Sequence, residues 1–194
     1  MTPVLRVAFV TGSTPDKWAR RWAEGRRGTL DLVPVTEDEQ RALLDSGAVD
    51  MLVARMPVGD TTDLHVVRLY EEQPVVVVGR EHAAAEFDRI DLADLDQEQF
   101  PLGVPDGLDA VEQLAWPPMS PKDAVEVAAS GTGAVVVPES VARLFRRKDT
   151  VAVPLDGMEP TQVALVWQRD RDDDTTQEFV GVVRGRSARS SRSR

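Results

Sequence analysis

Three short apolar runs in the first 55 residues, separated by stretches with helix signals, restrict this chain to an α/β fold. The runs are "VLRVAFVTG" (4–12), "LDLVPV" (30–35) and "MLVAR" (51–55). Each is rich in β-branched and apolar residues and too short to be a helix. Between the first two lies "STPDKWARRWAEGRRG". Ser13 or Thr14 is expected to cap that helix, Pro15 suits its first turn, and Asp16 complements its dipole. Trp18 and Trp22 are four apart and share one buried face, and Gly25 or Gly28 stops the helix. In the next stretch, 36–50, Thr36 and Glu39 have the spacing of a capping box, Leu43 and Leu44 face inward, and Gly47 closes the helix. A β-α-β-α-β order of this kind calls for parallel strands joined by right-handed crossovers.

The alternation continues. "LHVVRLYEEQPVVVVGR" (64–80) reads as two strand segments joined near Pro74. "DLADLDQEQFPLGVPDG" (91–107) holds a short helix and a strand near 100–104, and "LDAVEQLAW" (108–116) a helix fragment stopped by Pro117 and Pro118. "SPKDAVEVAASGTG" (120–133) is a helix capped by Ser120, with Pro121 in its first turn. "AVVVP" reads as a strand covered on both faces. A helix over 139–149, strands at "VAVPL" and "TQVALVWQR", and a last helix at "DTTQEFVGVV" (174–183) complete the series. The block near 75–151 forms a second α/β unit, after which the chain returns to the first.

Composition removes several classes of function. The 194 residues contain no cysteine and two histidines, His65 and His82. Disulfides, thiol catalysis and Cys-ligated zinc are therefore excluded, and a Ser-His-Asp triad or a His-rich metal site is disfavoured. No acid/base pair stands at a defined spacing. "DRDDD" (170–174) lacks the calcium-loop spacing and reads as a solvated loop. Trp116 and Trp167 read as core rather than as a base-stacking platform. Net charge is −10, so bulk electrostatics oppose nucleic-acid binding. The last eleven residues are the exception, with five arginines and no acid. This 184–194 segment reads as a disordered basic tail. No apolar run reaches the length of a membrane span, and the N-terminus has no signal-peptide pattern, so the expectation is a cytoplasmic protein.

The order of these pieces resembles the effector-binding domain of LysR-type transcriptional regulators. "LRVAFVTG" is similar to the family's opening strand, "LDLVPVTEDEQRALLDSGAVDMLVAR" to its strand-helix-strand element, and "RLYEEQPVVVVGREHAAA" to its crossing segment. "IDLADLDQEQF", "VAASGTGAVVVPESVA" and "VALVWQRDR" follow in the family's order, so the likeness runs from about residue 4 to 183. It implies a type 2, periplasmic-binding-protein-like fold. Two lobes, 4–74 with 153–183 and 75–152, would each hold a mostly parallel sheet, with a small ligand in the cleft between them. The resemblance implies a non-enzymatic sensor without a cofactor. Three departures qualify it. No winged helix-turn-helix precedes residue 4, so no direct DNA binding is carried over and any effect on transcription passes through a partner; a homodimer is compatible. The second lobe is short, with "PPM" bridging a gap. The family's "H-P-L-A" is "HAAA" here. An exported solute receptor and an enzyme on the same fold are the alternatives.

In an open α/β sheet, ligands sit at the C-terminal ends of strands, near helix N-termini. Three loops qualify. "TGST" offers the backbone N–H groups of Gly12 and its neighbours and the hydroxyls of Thr11, Ser13 and Thr14 to an anion. "ARMP" offers Arg55 as a carboxylate clamp, with Met56 and Pro57 beside it, although a plain ion pair is the competing reading. "GVPDG" offers Val104, Pro105 and Asp106, with an ordinary turn as the alternative. "SGTG" (130–133) is not a phosphate loop, since it lacks the G-K-[ST] ending and follows a helix. Gly131 is expected to close that helix and Gly133 to allow close packing, while Thr132 remains a candidate contact.

Overall fold

The computed structural model describes residues 4–25 and 28–185. The chain divides into two units: residues up to Tyr70 with those from Gln162 onward, and Glu71–Thr161. The return to the first unit therefore lies beyond the position near 153 that the sequence suggested. The reason is strand β8 (Thr150–Asp156), which pairs within the second unit along its whole length.

The first unit is built on a five-stranded sheet in the order β2-β1-β3-β9-β4. Strands β1 (Val4–Val10), β2 (Thr29–Val35) and β3 (Met51–Arg55) are parallel, as the alternation required. Strand β9 (Thr161–Gln168) runs antiparallel to β3, with Leu52 opposite Val166 and Arg55 opposite Val163. Strand β4 is Leu64–Glu72. Successive side chains point to opposite faces, so one sheet serves two cores. Val7, Met51, Val53, Leu165 and Trp167 meet helices α1 (Asp16–Glu24) and α5 (Asp174–Val183) on one side. Trp22 and Phe179 close this core edge to face, with centroids 5.7 Å apart. Ala8, Leu52, Ala54 and Val166 meet Leu44 of α2 (Gln40–Asp45) on the other.

Two helix starts differ from expectation. Neither Ser13 nor Thr14 caps α1; Pro15 occupies the N-cap position without a side-chain bond. The Ser13 hydroxyl donates instead to the Val10 carbonyl at 2.6 Å. Helix α2 covers only 40–45, because residues 37–39 form a turn. The expected Thr36–Glu39 contact is made in one direction: the Thr36 N–H and hydroxyl donate to the Glu39 carboxylate at 3.0 and 2.8 Å. Those bonds hold the Glu39 carboxyl below its usual range.

The second unit holds a four-stranded sheet in the order β6-β8-β5-β7. Strand β5 (Pro74–Gly79) is antiparallel to both β7 (Val135–Pro138) and β8, while β6 (Ile90–Asp91) is parallel to β8. Both sheets are thus mixed, rather than mostly parallel. Strand β7 lies at the sheet edge, with Val135 and Val137 buried and Val136 half-buried, so only one face is fully covered. Helix α3 (Pro121–Ala129) starts as predicted: the Ser120 hydroxyl accepts from the Asp123 N–H at 3.2 Å, and proline occupies the first turn. Helix α4 (Glu139–Leu144) is shorter than the predicted 139–149.

No strand forms at 100–104 and no helix at 108–116. Two side-chain amides replace that secondary structure. Gln113 Oε1 accepts from the Phe100 N–H at 2.7 Å, and its Nε2 donates to the Glu98 carbonyl at 3.0 Å. Gln99 answers in the other direction, accepting from the Leu114 N–H at 2.7 Å and donating to the Glu112 carbonyl at 3.0 Å. Backbone groups that a helix would have paired are satisfied across the two segments. The sequence "HAAA" forms a 3₁₀ turn whose first amide, at Ala84, donates to His82 Nδ1 at 3.1 Å. The imidazole therefore carries its proton on Nε2, 3.0 Å from the Glu98 carboxylate.

Gly131 has φ +79° after α3, the left-handed position expected of it. Gly133 is required for a different reason: a Cβ there would lie 2.6 Å from the Gln99 carbonyl oxygen. Arg184 and Gly185 follow α5, and the remainder of the predicted basic tail, 186–194, lies outside the described residues.

Candidate functional site

The C-terminal ends of β1 and β3 bring Thr11 and Arg55 together. The Arg55 side chain is only 3% exposed, and its guanidinium bridges two segments. It donates to the Thr11 carbonyl at 3.2 Å and pairs with the Glu37 carboxylate at 2.5 Å. Thr11 is also tied to β2, since its N–H and hydroxyl both donate to the Val35 carbonyl, at 3.0 and 3.2 Å. Gly12 follows with φ +95°, which lets the chain turn sharply out of β1. The Ser13 N–H donates back to Val10 at 3.0 Å.

These bonds decide what the loop has left to offer. Thr11 and Ser13 spend their hydroxyls on internal carbonyls. Among the described residues, the N–H groups of Gly12 and Thr14 and the exposed Thr14 hydroxyl have no hydrogen-bond partner. They stand next to the first turn of α1, where the helix dipole favours negative charge. Met56 is half-buried, and its N–H donates to Gln162 at 2.9 Å; Pro57 is exposed.

Two residues of this arrangement escaped the sequence. Gln40 is 4% exposed and grips Arg55 through the main chain: Oε1 accepts from the Arg55 N–H and Nε2 donates to the Arg55 carbonyl. Glu37 supplies the counter-charge. Only the acidic run "TEDE" hinted at the second, and nothing local marked the first.

Val104, Pro105 and Thr132 belong to the second unit. Val104 is exposed, and the Pro105 carbonyl accepts from the Leu108 N–H at 3.2 Å within a tight turn. Asp106 is exposed in the same turn. The Thr132 hydroxyl shares a 2.9 Å hydrogen bond with Ser130.

Other sequence features have structural explanations. Asp173 and Thr176 form a capping box on α5. Asp172 accepts from Gln177 at 2.6 Å and from Trp167 Nε1 at 3.1 Å, with His65 at 3.6 Å. These partners, Gln177 first, hold the Asp172 carboxyl below its usual range. Among the described residues no group of His, Asp and Glu is arranged to hold a metal, and no helix is long and apolar enough to cross a membrane. Trp167 is buried in the first-unit core, whereas Trp116 is half-buried beside Phe100 and Pro101.

A family model described as the LysR substrate binding domain matches residues 23–188. The chain belongs to this family. Its fold is that of solved effector domains. The oxidised form of OxyR superposes with a TM-score of 0.71 at 17% identity, covering 99% of this chain and 98% of that one. The BenM effector binding domain with its effector benzoate gives 0.75 at 18% identity, covering 98% and 95%. Full-length CbnR complexed with its target DNA gives 0.73 at 20% identity, covering 95% of this chain and 70% of that one. Among curated protein sequences, none matches significantly. As a LysR substrate binding domain, the chain is a regulator-type ligand-binding module and not an enzyme.

Proposed function

We propose that the chain senses a small anionic metabolite and acts on transcription through a DNA-binding partner. The observation that carries this reading is the anchored loop after β1. Arg55, Gln40 and Glu37 fix its entry, and it keeps the Gly12 and Thr14 donors unpaired at the start of a helix. Preset donors of this kind suit a carboxylate. The BenM structure with benzoate supports that ligand class, and the CbnR–DNA structure supports a role in transcription.

In this reading Gly12 and Thr14 supply the donors of the anion cradle, Thr11 and Ser13 hold its shape through their own internal bonds, Met56 and Pro57 lie beside it, and Arg55 positions the loop. Val104, Pro105 and Thr132 remain candidate ligand contacts. A homodimer and a cytoplasmic location belong to the same proposal. Oxidised and reduced OxyR are among the structural neighbours, but these 194 residues hold no cysteine, so a thiol switch is not the sensing chemistry here.

The test is a thermal-shift and calorimetric screen of small carboxylates, benzoate included. A ligand present at a hundred times its Kd stabilises by about 2.7 kcal/mol, roughly 5–10 °C for a chain of this size. Thr14→Val is expected to weaken the hit about tenfold. A panel without a single hit, or a hit indifferent to Thr14→Val, overturns the reading.

A further inference from the structure

The second unit leaves one strip of its sheet uncovered. Val75 and Val77 of β5 pair across the ladder with Pro154 and Ala152 of β8, so these four side chains share a face. Helices α3 and α4 cover that face over β5 and β7. Helix α4 ends after six residues, at Leu144, and Ala152 stays exposed. The result is a groove of about 650 Å³, floored by Ala152 and Pro154, with the buried Val75 and Val77 along its covered edge. That volume suits one small molecule.

The walls of the groove are basic, although the chain as a whole carries −10. Arg80, Arg89, Arg143 and Arg146 line it, with Glu139 as the one acid in the lining. Arg89 is compensated by Asp156 at 2.7 Å, and Arg143 meets Glu139 at 3.6 Å. Arg80 and Arg146 are different. The Arg80 guanidinium donates to the Lys148 carbonyl, a neutral acceptor, at 3.1 and 2.7 Å. The Arg146 side chain has no hydrogen bond or ion pair among the described residues. Two guanidinium charges therefore face an apolar floor with no carboxylate to neutralise them.

We propose that this groove is a second ligand site, which takes a carboxylate carried on an apolar body. The apolar part lies on Ala152 and Pro154, against the edge of Val75 and Val77. The carboxylate meets Arg80 and Arg146, whose planar forks match its two oxygens. Neither a bare anion nor a neutral amphiphile satisfies both halves of the groove. The site uses only residues of the second unit and stands or falls independently of the loop after β1.

The experiment is an amide-resolved NMR titration with octanoate, octyl glucoside and inorganic phosphate as separate probes. Octanoate is expected to shift the amides of Val75, Val77 and Ala152 saturably. Octyl glucoside and phosphate are expected to leave them in place. Arg146→Gln is expected to weaken octanoate at least fivefold with an otherwise unchanged spectrum, because that exposed side chain supports nothing else. Ala152→Asp, which puts a carboxylate on the floor, is expected to abolish binding, and Thr14→Val to change nothing. Equal binding of octyl glucoside reduces the groove to an apolar patch, and equal binding of phosphate reduces it to an ion contact. Either result overturns the proposal, as does the absence of saturation. It is equally overturned if the same amides shift on raising protein concentration while the mass doubles, since the occupant is then a second copy of the chain.

Discussion

Gln40 holds Arg55 by its backbone: the Arg55 N–H donates to Gln40 Oε1 at 2.7 Å, and Gln40 Nε2 donates to the Arg55 carbonyl at 3.2 Å. A buried side-chain amide thus stands in for a neighbouring strand at the end of β3. Gln40→Ala removes both of these bonds from buried backbone groups, at a cost of about 1–3 kcal/mol. Urea denaturation is expected to show that loss with an unchanged m-value. A variant as stable as the parent removes Gln40 from the account of the loop.

Gly131 and Gly133 differ in kind, although they sit two residues apart. Gly131 has open space around it and needs only its positive φ. Gly131→Ala is expected to cost about 1 kcal/mol. At Gly133 the added methyl collides with the Gln99 carbonyl, and the backbone of two segments must move. Gly133→Ala is expected to cost about 1–3 kcal/mol, in the range of overpacking. Equal midpoints for the two variants in chemical denaturation contradict this assignment.

The Gln99–Gln113 exchange makes a local prediction. The Phe100 and Leu114 amides are protected by side chains alone. In Gln113→Ala, hydrogen exchange at Phe100 is expected to speed up markedly, while the amides of β5 keep their protection. The reciprocal variant, Gln99→Ala, is expected to release Leu114.

Asp172 gives a pH dependence with a definite sign. Its carboxylate accepts from Gln177, Trp167 and Thr176, and its folded-state pKa is lowered. A lowered pKa means stability that is fully present above the ordinary aspartate value, about 3.9, and lost as pH falls through the lower folded value. Melting temperature measured from pH 6 downward is expected to drop below about pH 4 in the parent. Asp172→Asn is expected to flatten that acid limb and to melt lower at pH 7. Parallel profiles for the two proteins exclude Asp172 as a source of the acid sensitivity.

Trp22 tests the first-unit core. It is 1% exposed and stacks edge-on against Phe179. Trp22→Ala is expected to cost about 3–5 kcal/mol by thermal or chemical unfolding, whereas Trp22→Phe retains the aromatic contact and a good part of that stability.

The sequence was readable where the signal is local. The Ser120–Pro121 start of α3, the Trp18–Trp22 face of α1 and the 174–183 helix follow from caps and spacing within a few residues, and the structure contains each of them. The parallel direction of β1, β2 and β3 follows from the helices between the strands. It failed where partners are distant. The apolar run at β5 states that a strand is buried, but not that both of its neighbours run the other way. The helical pattern at 108–116 yields to two glutamines whose targets lie about fifteen residues away, at 98–100 and 112–114. At Arg55 the sequence offers a carboxylate clamp or an ion pair but not the partner, and Glu37 and Thr11 are identified only once they are folded against it.

The second unit is one continuous piece of chain, inserted between the halves of the first. Every strand pair of its sheet is complete once residue 156 has been made. The central pairing of the first unit joins Leu52 to Val166 and must wait for nearly the whole chain. During synthesis on the ribosome, the inserted piece is therefore expected to become protease-resistant first, while β1, β2 and β3 remain without the strand that completes their sheet.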